Sequence, residues 1–208
     1  MLSTDAREFV FRWMVANMVG LALGLALWGI IHDTLGEESA NPNILASLVG
    51  ELLVGAIAGT LQWFVLKPYL NGVYRGILGG SIGCAIGLIF GYFLGGIPFD
   101  FILGFIGFGL GSSWGHLLGL SHLMPGTRRW IVTNTVGFGI AGIVAVIVAI
   151  LLGDGVDAAF GSGVSGFAAV LAMLGGVGGA VGGLITGMLL VNMLRQPAPQ
   201  AEMAASTT

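Results

Sequence analysis

One acidic residue, Glu51, lies well inside a long apolar stretch of the sequence, residues 44–66. If that stretch is a membrane-spanning helix, Glu51 lies about 10 Å deep, because an α-helix rises about 1.5 Å per residue. A charge at this depth is costly, and an ionisable side chain there could bind a cation or relay a proton. The alternative is a protonated or hydrogen-bonded glutamic acid that stabilises helix packing. No basic residue lies deep inside the apolar stretches to pair with it.

Three amides and a histidine share this apolar setting: Asn17, Asn134, Gln62 and His116. A buried amide can form hydrogen bonds between helices, at about 0.6 to 2 kcal/mol each. We expect such polar contacts rather than a solute-binding site, with the two asparagines facing a common axis if their segments are related by symmetry. His116 has His122 six residues later and no accompanying carboxylate. This favours an interfacial histidine over a metal or haem site.

The sequence contains no recognisable catalytic constellation. It has no Ser-x-x-Lys, no His-Glu-x-x-His and no paired catalytic carboxylates. The single Cys84 excludes an intrachain disulfide framework and a multi-cysteine metal site. A net charge of −3 without a basic block gives no indication of nucleic-acid binding. We therefore expect neither enzymatic activity nor a cofactor.

An all-α membrane domain must position these residues, because the chain has too few charged side chains to cover the surface of a soluble domain. Charged residues are 8% of the 208, against about a quarter in soluble domains. About 20 apolar residues are needed to cross a bilayer, and six stretches meet that length. They are residues 11–31, 44–66, 76–97, 99–120, 130–152 and 167–194. The tail, residues 196–208, is small and polar and is predicted to be a disordered cytoplasmic end.

The distribution of charge predicts the orientation of the six spans, because cytoplasmic loops carry an excess of Lys and Arg. With six crossings, the two termini and the second and fourth loops lie on one side. That side holds every basic residue, and the charged residues of the other three loops are all acidic. A wrong number of spans would scramble this segregation, so we predict that both termini are cytoplasmic. The basic residues are Arg7, Arg12, Lys67, Arg75, Arg128, Arg129 and Arg195.

An internal repeat groups the spans in pairs. Residues 12–20, where the first span begins, match residues 129–137, where the fifth begins, with Arg, Trp, Val, Asn, Val and Gly in register. The even-numbered spans share a fainter pattern, two glycines four residues apart followed by Gln62, Trp114 or Leu190. The chain is therefore predicted to consist of three helical hairpins of the same orientation.

Glycine occupies 38 positions, well above the average of about 7%. In lipid, small residues at every fourth place allow two helix backbones to approach closely. This spacing predicts tight helix packing at four pairs of positions. The pairs are Gly20 and Gly24, Gly55 and Gly59, Gly107 and Gly111, and Gly183 and Gly187.

The second span carries the most specific form of the repeated motif, Gly55-x3-Gly59-x2-Gln62-Trp63-x2-Leu66. Followed by an aromatic-led, glycine-rich helix, it resembles a pattern repeated in uncharacterised multi-pass bacterial membrane proteins. The later hairpins of this chain depart from that pattern at the Gln and Trp positions. The resemblance implies a multi-pass helical fold in the bacterial inner membrane, and it brings no activity with it.

Two functions remain open from these observations. Few polar residues in the spans, short loops and glycine-driven packing favour a structural or accessory subunit of a membrane complex. Its partners would be the lipid bilayer and either a membrane protein or further copies of the chain. The polar residues Glu51, Asn17 and Asn134, together with the repeat, indicate instead a small channel or transporter for an ion or small solute. An intramembrane enzyme would need a catalytic group that the sequence does not offer.

Overall fold

The computed structural model describes residues 6–36, 44–68, 74–95, 97–120, 127–161 and 163–194. These residues form six α-helices, which confirms the predicted all-α class. The helices are α1 (Ala6–Gly36), α2 (Ile44–Leu66), α3 (Tyr74–Gly95), α4 (Ile97–Leu120), α5 (Thr127–Phe160) and α6 (Val164–Leu194). The predicted disordered tail, residues 196–208, lies outside the described residues.

Several helices are longer than the predicted spans. α1 begins at Ala6 rather than at residue 11, and α5 continues to Phe160 rather than ending at residue 152. The reason is that hydropathy marks the part of a helix that suits lipid, whereas backbone hydrogen bonding continues into polar sequence. The chain leaves the helix after α5 at Gly161 and Gly163, whose φ angles of 85° and 151° are left-handed conformations that glycine adopts readily.

The boundary between α3 and α4 is very short. α3 ends at Gly95 and α4 begins at Ile97, against predicted spans that end at residue 97 and begin at residue 99. Pro98 lies in the first turn of α4, where its missing N–H removes no helical hydrogen bond. The proline therefore starts the second helix of this hairpin instead of standing in a longer turn.

The six helices close into a ring. Each helix packs against the next one in sequence, and α6 packs against α1. Neighbouring helices are antiparallel, because the residue numbers of facing residues increase along one helix and decrease along the other. Gly20 of α1 faces Ala58 of α2, and Gly24 faces Val54. The starts of α1, α3 and α5 therefore share one end of the ring with the ends of α2, α4 and α6. We name it the basic end, because the exposed residues Arg7, Arg12, Lys67 and Arg129 lie there.

The middle of the ring is filled by apolar side chains from all six helices. Phe108 of α4 meets Phe138 of α5 edge to face, with ring centroids 5.0 Å apart. Aromatic pairs in this arrangement add to the stabilisation from burial alone. The other central residues include Leu21, Leu25, Val54, Cys84, Phe105, Ala141 and Leu171.

All eight glycines of the predicted pairs lie where two helices come close. A Cβ added at Gly20 would be 2.7 Å from the Cα of Ala58, although Cβ atoms essentially never approach another atom within 3.0 Å. Only a residue without a side chain allows this separation between backbones. Gly20 and Gly24 face α2, Gly55 and Gly59 face α3, Gly107 and Gly111 also face α3, and Gly183 and Gly187 face α1.

The distribution of polarity is the reverse of that in a soluble domain. Large apolar side chains such as Ile150 and Leu151 are exposed, whereas Asn17 and Ser112 are fully buried. Four helices are long and apolar enough to cross a membrane: Ala6–His32, Leu48–Leu66, Arg129–Leu152 and Val164–Met193. The described side chains of α3 and α4 provide shorter apolar helices, Ile77–Gly87 and Phe101–Trp114. The fold is that expected of a membrane protein with at least four such helices.

Candidate functional site

Two of the predicted polar residues, Asn17 of α1 and Gln62 of α2, are in direct contact near the basic end. Their side chains are 0% and 1% exposed. Gln62 Nε2 donates a hydrogen bond of 2.7 Å to Asn17 Oδ1, and Asn17 Nδ2 donates one of 2.8 Å to the carbonyl of Trp13. The pair therefore ties α1 to α2 inside the protein.

A second polar contact joins α1 to α6 at nearly the same level. Trp13 Nε1 donates a hydrogen bond of 2.9 Å to Thr186 Oγ1, and this hydroxyl donates one of 2.8 Å to the carbonyl of Gly182. Since the carbonyl of Trp13 also accepts the bond from Asn17, hydrogen bonds run from α6 through α1 to α2. The sequence gives no sign of this role for Thr186, because a hydroxyl in an apolar helix commonly bonds only to its own backbone.

Asn134, the repeat counterpart of Asn17, forms a separate cluster with α4. Its Nδ2 lies 2.8 Å from the carbonyl oxygen of Gly109 and 3.0 and 2.9 Å from the hydroxyl oxygens of Ser112 and Ser113. Both serines donate to the carbonyl of Gly109, which leaves their oxygen lone pairs free to accept from Asn134. Sequence reasoning missed the serines, although they are the one Ser-Ser pair in the chain.

The two asparagines therefore bond in opposite directions around the ring. Asn17 bonds to the helix that follows it, α2, and Asn134 bonds to the helix that precedes it, α4. No hydrogen bond joins the two among the residues that the structure describes. In the sequence, Leu190 follows two glycines of α6 at the spacing that Gln62 has in α2, and a leucine offers no amide.

Glu51 lies apart from these amides, toward the other end of the ring. It is eleven positions from Gln62 along α2, which is about 16 Å at 1.5 Å per residue. Its side chain is 6% exposed, and the adjacent Gly50 packs against the indole of Trp28 in α1. The predicted polar residues thus lie at three separate places in the bundle: the contact of Asn17 with Gln62, the cluster around Asn134, and Glu51. The side chain of His116 lies outside the described part of the structure.

The described centre of the ring holds little free space. A cavity of about 10 Å³ lies among α1, α2, α3 and α4, which is about the volume needed for the centre of one water molecule. Its lining is Leu21, Leu25, Val54, Cys84, Phe101, Gly104, Phe105 and Phe108. Apolar cavities of this kind stay dry.

Two buried amide oxygens keep unused capacity to accept hydrogen bonds. Gln62 Oε1 and Asn134 Oδ1 have no hydrogen-bond partner among the described residues. Leaving such an acceptor unpaired costs roughly 1–3 kcal/mol, so each oxygen could take a hydrogen bond from water or another small donor. In the same part of the chain, no three or more His, Cys, Asp or Glu side chains cluster as metal ligands would.

The arrangement as a whole is two interhelical amide sites at the basic end and one separate buried carboxyl. Its chemistry is that of hydrogen-bonded contact between helices, and among the predicted residues whose side chains the structure describes, Glu51 is the one whose own chemistry could extend to proton or cation binding. Comparison of the chain with protein-family models, with curated proteins and with solved structures gives no match.

Proposed function

We propose that this chain is a structural or accessory subunit of a membrane complex, crossing the bacterial plasma membrane six times with both termini in the cytoplasm. Helix length supports α3 and α4 as two spans in addition to the four helices that are long and apolar enough to cross a membrane. α3 and α4 have 22 and 24 residues, about 33 and 36 Å at 1.5 Å per residue, and the hydrocarbon core is about 30 Å thick. The exposed basic residues at one end of the ring support the orientation.

The observation that carries the proposed function is the way the buried polar side chains are used. Asn17, Gln62 and Asn134 each form a hydrogen bond with another helix, and apolar side chains fill the middle of the ring. A transport pathway instead needs polar groups that line a cavity or a solvated route. Hydrogen bonds between helices and close glycine contacts favour a rigid scaffold.

The outer surface of α5 provides a face that a partner or lipid would cover. Ile143, Ile147 and Ile150 are exposed, and their spacing places them on one side of the helix. A scaffold subunit would present such apolar faces to its surroundings.

The native mass and composition of the tagged protein, extracted in a mild detergent, test this proposal. We expect a stoichiometric partner protein, whose identity would define the complex. A tagged polytopic membrane protein of similar size, extracted in parallel, controls for nonspecific co-purification. Recovery of the chain alone, as a monomer or homo-oligomer under every mild extraction condition, would contradict the accessory-subunit proposal.

Glu51 supports a second candidate function, a small channel or transporter for an ion or small solute. It is a buried ionisable group in an apolar helix, and such groups commonly mark ion or proton pathways. Under this candidate, Glu51→Gln should abolish a cation- or pH-dependent flux in proteoliposomes, and Glu8→Gln, which changes an exposed carboxyl at the basic end, should leave it intact. An unchanged flux in Glu51→Gln would remove Glu51 from the mechanism.

A further inference from the structure

A groove of about 530 Å³ lies between α1 and α6 at the basic end. This groove is lined partly by exposed residues. Its polar members, Arg7 and Asn192, both lie near the basic end, at the start of α1 and near the end of α6. Its apolar lining is Ala6, Val10, Phe11 and Met14 from α1 with Leu184, Met188 and Val191 from α6.

The apolar part of the groove suits a hydrocarbon chain. From Ala6 to Met14 the wall formed by α1 is about 12 Å long, at 1.5 Å per residue. Phe11, Leu184 and Met188 are exposed, so the groove is accessible from outside the bundle. Methionine is flexible and adapts to irregular apolar surfaces. A wall of about two helical turns is short for a docked protein helix, and its chemistry matches part of an acyl chain.

The polar end of the groove is complementary to a phosphate. Arg7 is exposed and has no ion pair among the described residues, whereas its neighbour Arg12 is paired with Glu8. A free guanidinium can donate two parallel hydrogen bonds to a phosphate. The exposed amide of Asn192 provides a further donor across the groove.

We propose that this groove binds an anionic phospholipid, with the phosphate and anionic head group at Arg7 and Asn192 and one acyl chain between α1 and α6. The charge of Arg7 selects the anionic lipid, and the apolar walls hold the chain of any phospholipid. Basic pockets between membrane helices recognise anionic head groups in this way. The site requires only that the bundle lies in a membrane, and it is independent of the proposed accessory role.

Native mass spectrometry of the full chain in a mild detergent tests the site, with dioleoyl phosphatidylglycerol and dioleoyl phosphatidylcholine added separately. We expect one phosphatidylglycerol to be retained preferentially. Arg7→Gln should weaken its binding about fivefold, the effect expected for one basic residue near an anionic lipid, and should weaken phosphatidylcholine binding less, because the quaternary ammonium of that lipid offsets the charge of its phosphate. Arg7→Lys should restore part of the preference, and Arg129→Gln, which removes an exposed arginine of α5, should have no effect.

A groove-filling variant, Met188→Trp, separates the site from general surface charge. It should reduce retention of both lipids, and because Met188 is exposed, the thermal unfolding midpoint should be unchanged. Equal retention of the two lipids by the unmodified protein would overturn the proposal. An equal loss in Arg129→Gln and Arg7→Gln would also overturn it. So would a dimer that Met188→Trp dissociates, because the groove would then be occupied by a second copy of the chain.

Discussion

Replacing Gly179 by alanine should loosen the contact between α1 and α6, whereas the same change at Gly176 should be tolerated. A Cβ at position 179 would lie 2.6 Å from the carbonyl carbon of Asn17 and 2.8 Å from the Cα of Met18. At position 176, on the same helix, the nearest atom would be the Cβ of Ala22 at 3.8 Å, an ordinary van der Waals distance. The atoms that oppose Gly179 are backbone, so no rotamer change can relieve the overlap.

The expected difference in unfolding free energy between the two variants is about 1–3 kcal/mol. Forcing an extra carbon into a well-packed interface typically costs about 1–3 kcal/mol. Replacing glycine by alanine also stabilises a helix by up to about 1 kcal/mol, because alanine has the higher helix propensity, and this gain applies at both positions. Gly176→Ala should therefore stabilise the protein slightly, whereas Gly179→Ala should lower the free energy of unfolding by up to about 2 kcal/mol. Since the propensity gain is shared, the difference between the variants isolates the backbone overlap.

Unfolding by sodium dodecyl sulfate in mixed micelles, followed by far-ultraviolet circular dichroism, measures this difference. The unmodified protein and the two variants should be compared in the same lipid and detergent mixture. If the two variants shift the unfolding free energy equally, α6 does not meet α1 at this register. A stabilised Gly179→Ala would exclude the close approach on which the closure of the ring depends.

Three further predictions follow from the same contacts. In the same unfolding assay, a double-mutant cycle of Asn17→Ala and Gln62→Ala should give a coupling of about 0.6 kcal/mol, and at most about 1.7 kcal/mol; a coupling near zero would contradict their hydrogen bond. Cys84 is buried in the centre, so a maleimide should react with it only after unfolding in detergent, and rapid reaction with the folded protein would contradict a filled ring. In a Cys84→Ala background, an impermeant maleimide should label Gly155→Cys but not Lys67→Cys in right-side-out membrane vesicles; the reverse pattern would invert the proposed orientation.

The helices themselves could largely be predicted from the lengths of apolar sequence. α2 occupies the predicted range, residues 44–66, because its apolar run ends abruptly at Lys67 and Pro68. The end of α5 was not predictable in this way. Hydropathy falls after Leu152, yet the helix continues to Phe160 because a polar segment can keep its backbone hydrogen bonds in water as well as in lipid.

The arrangement of the helices in a ring could not be predicted from glycine spacing. α6 has glycine on more than one face, and the structure uses both: Gly175 and Gly179 face α1, whereas Gly178 and Gly182 meet aromatic rings from α4 and α5. Spacing indicates that a helix can be approached closely. It does not indicate which neighbour makes the approach, because that depends on the shape of the opposing surface.

The sequence match between residues 12–20 and 129–137 indicates the positions of the two asparagines better than their partners. Asn17 and Asn134 follow a matching Arg-Trp pair by the same number of residues, and both amides are buried. Their partners differ because the surrounding helices differ: Gln62 faces Asn17, whereas Ser112 and Ser113 face Asn134. A buried amide in a lipid-facing bundle needs some polar neighbour, and each hairpin meets that need with whichever adjacent helix carries one. The shared feature is therefore the need of a buried amide for a hydrogen bond, and the adjacent helix that carries a polar side chain decides which pair of helices the bond joins.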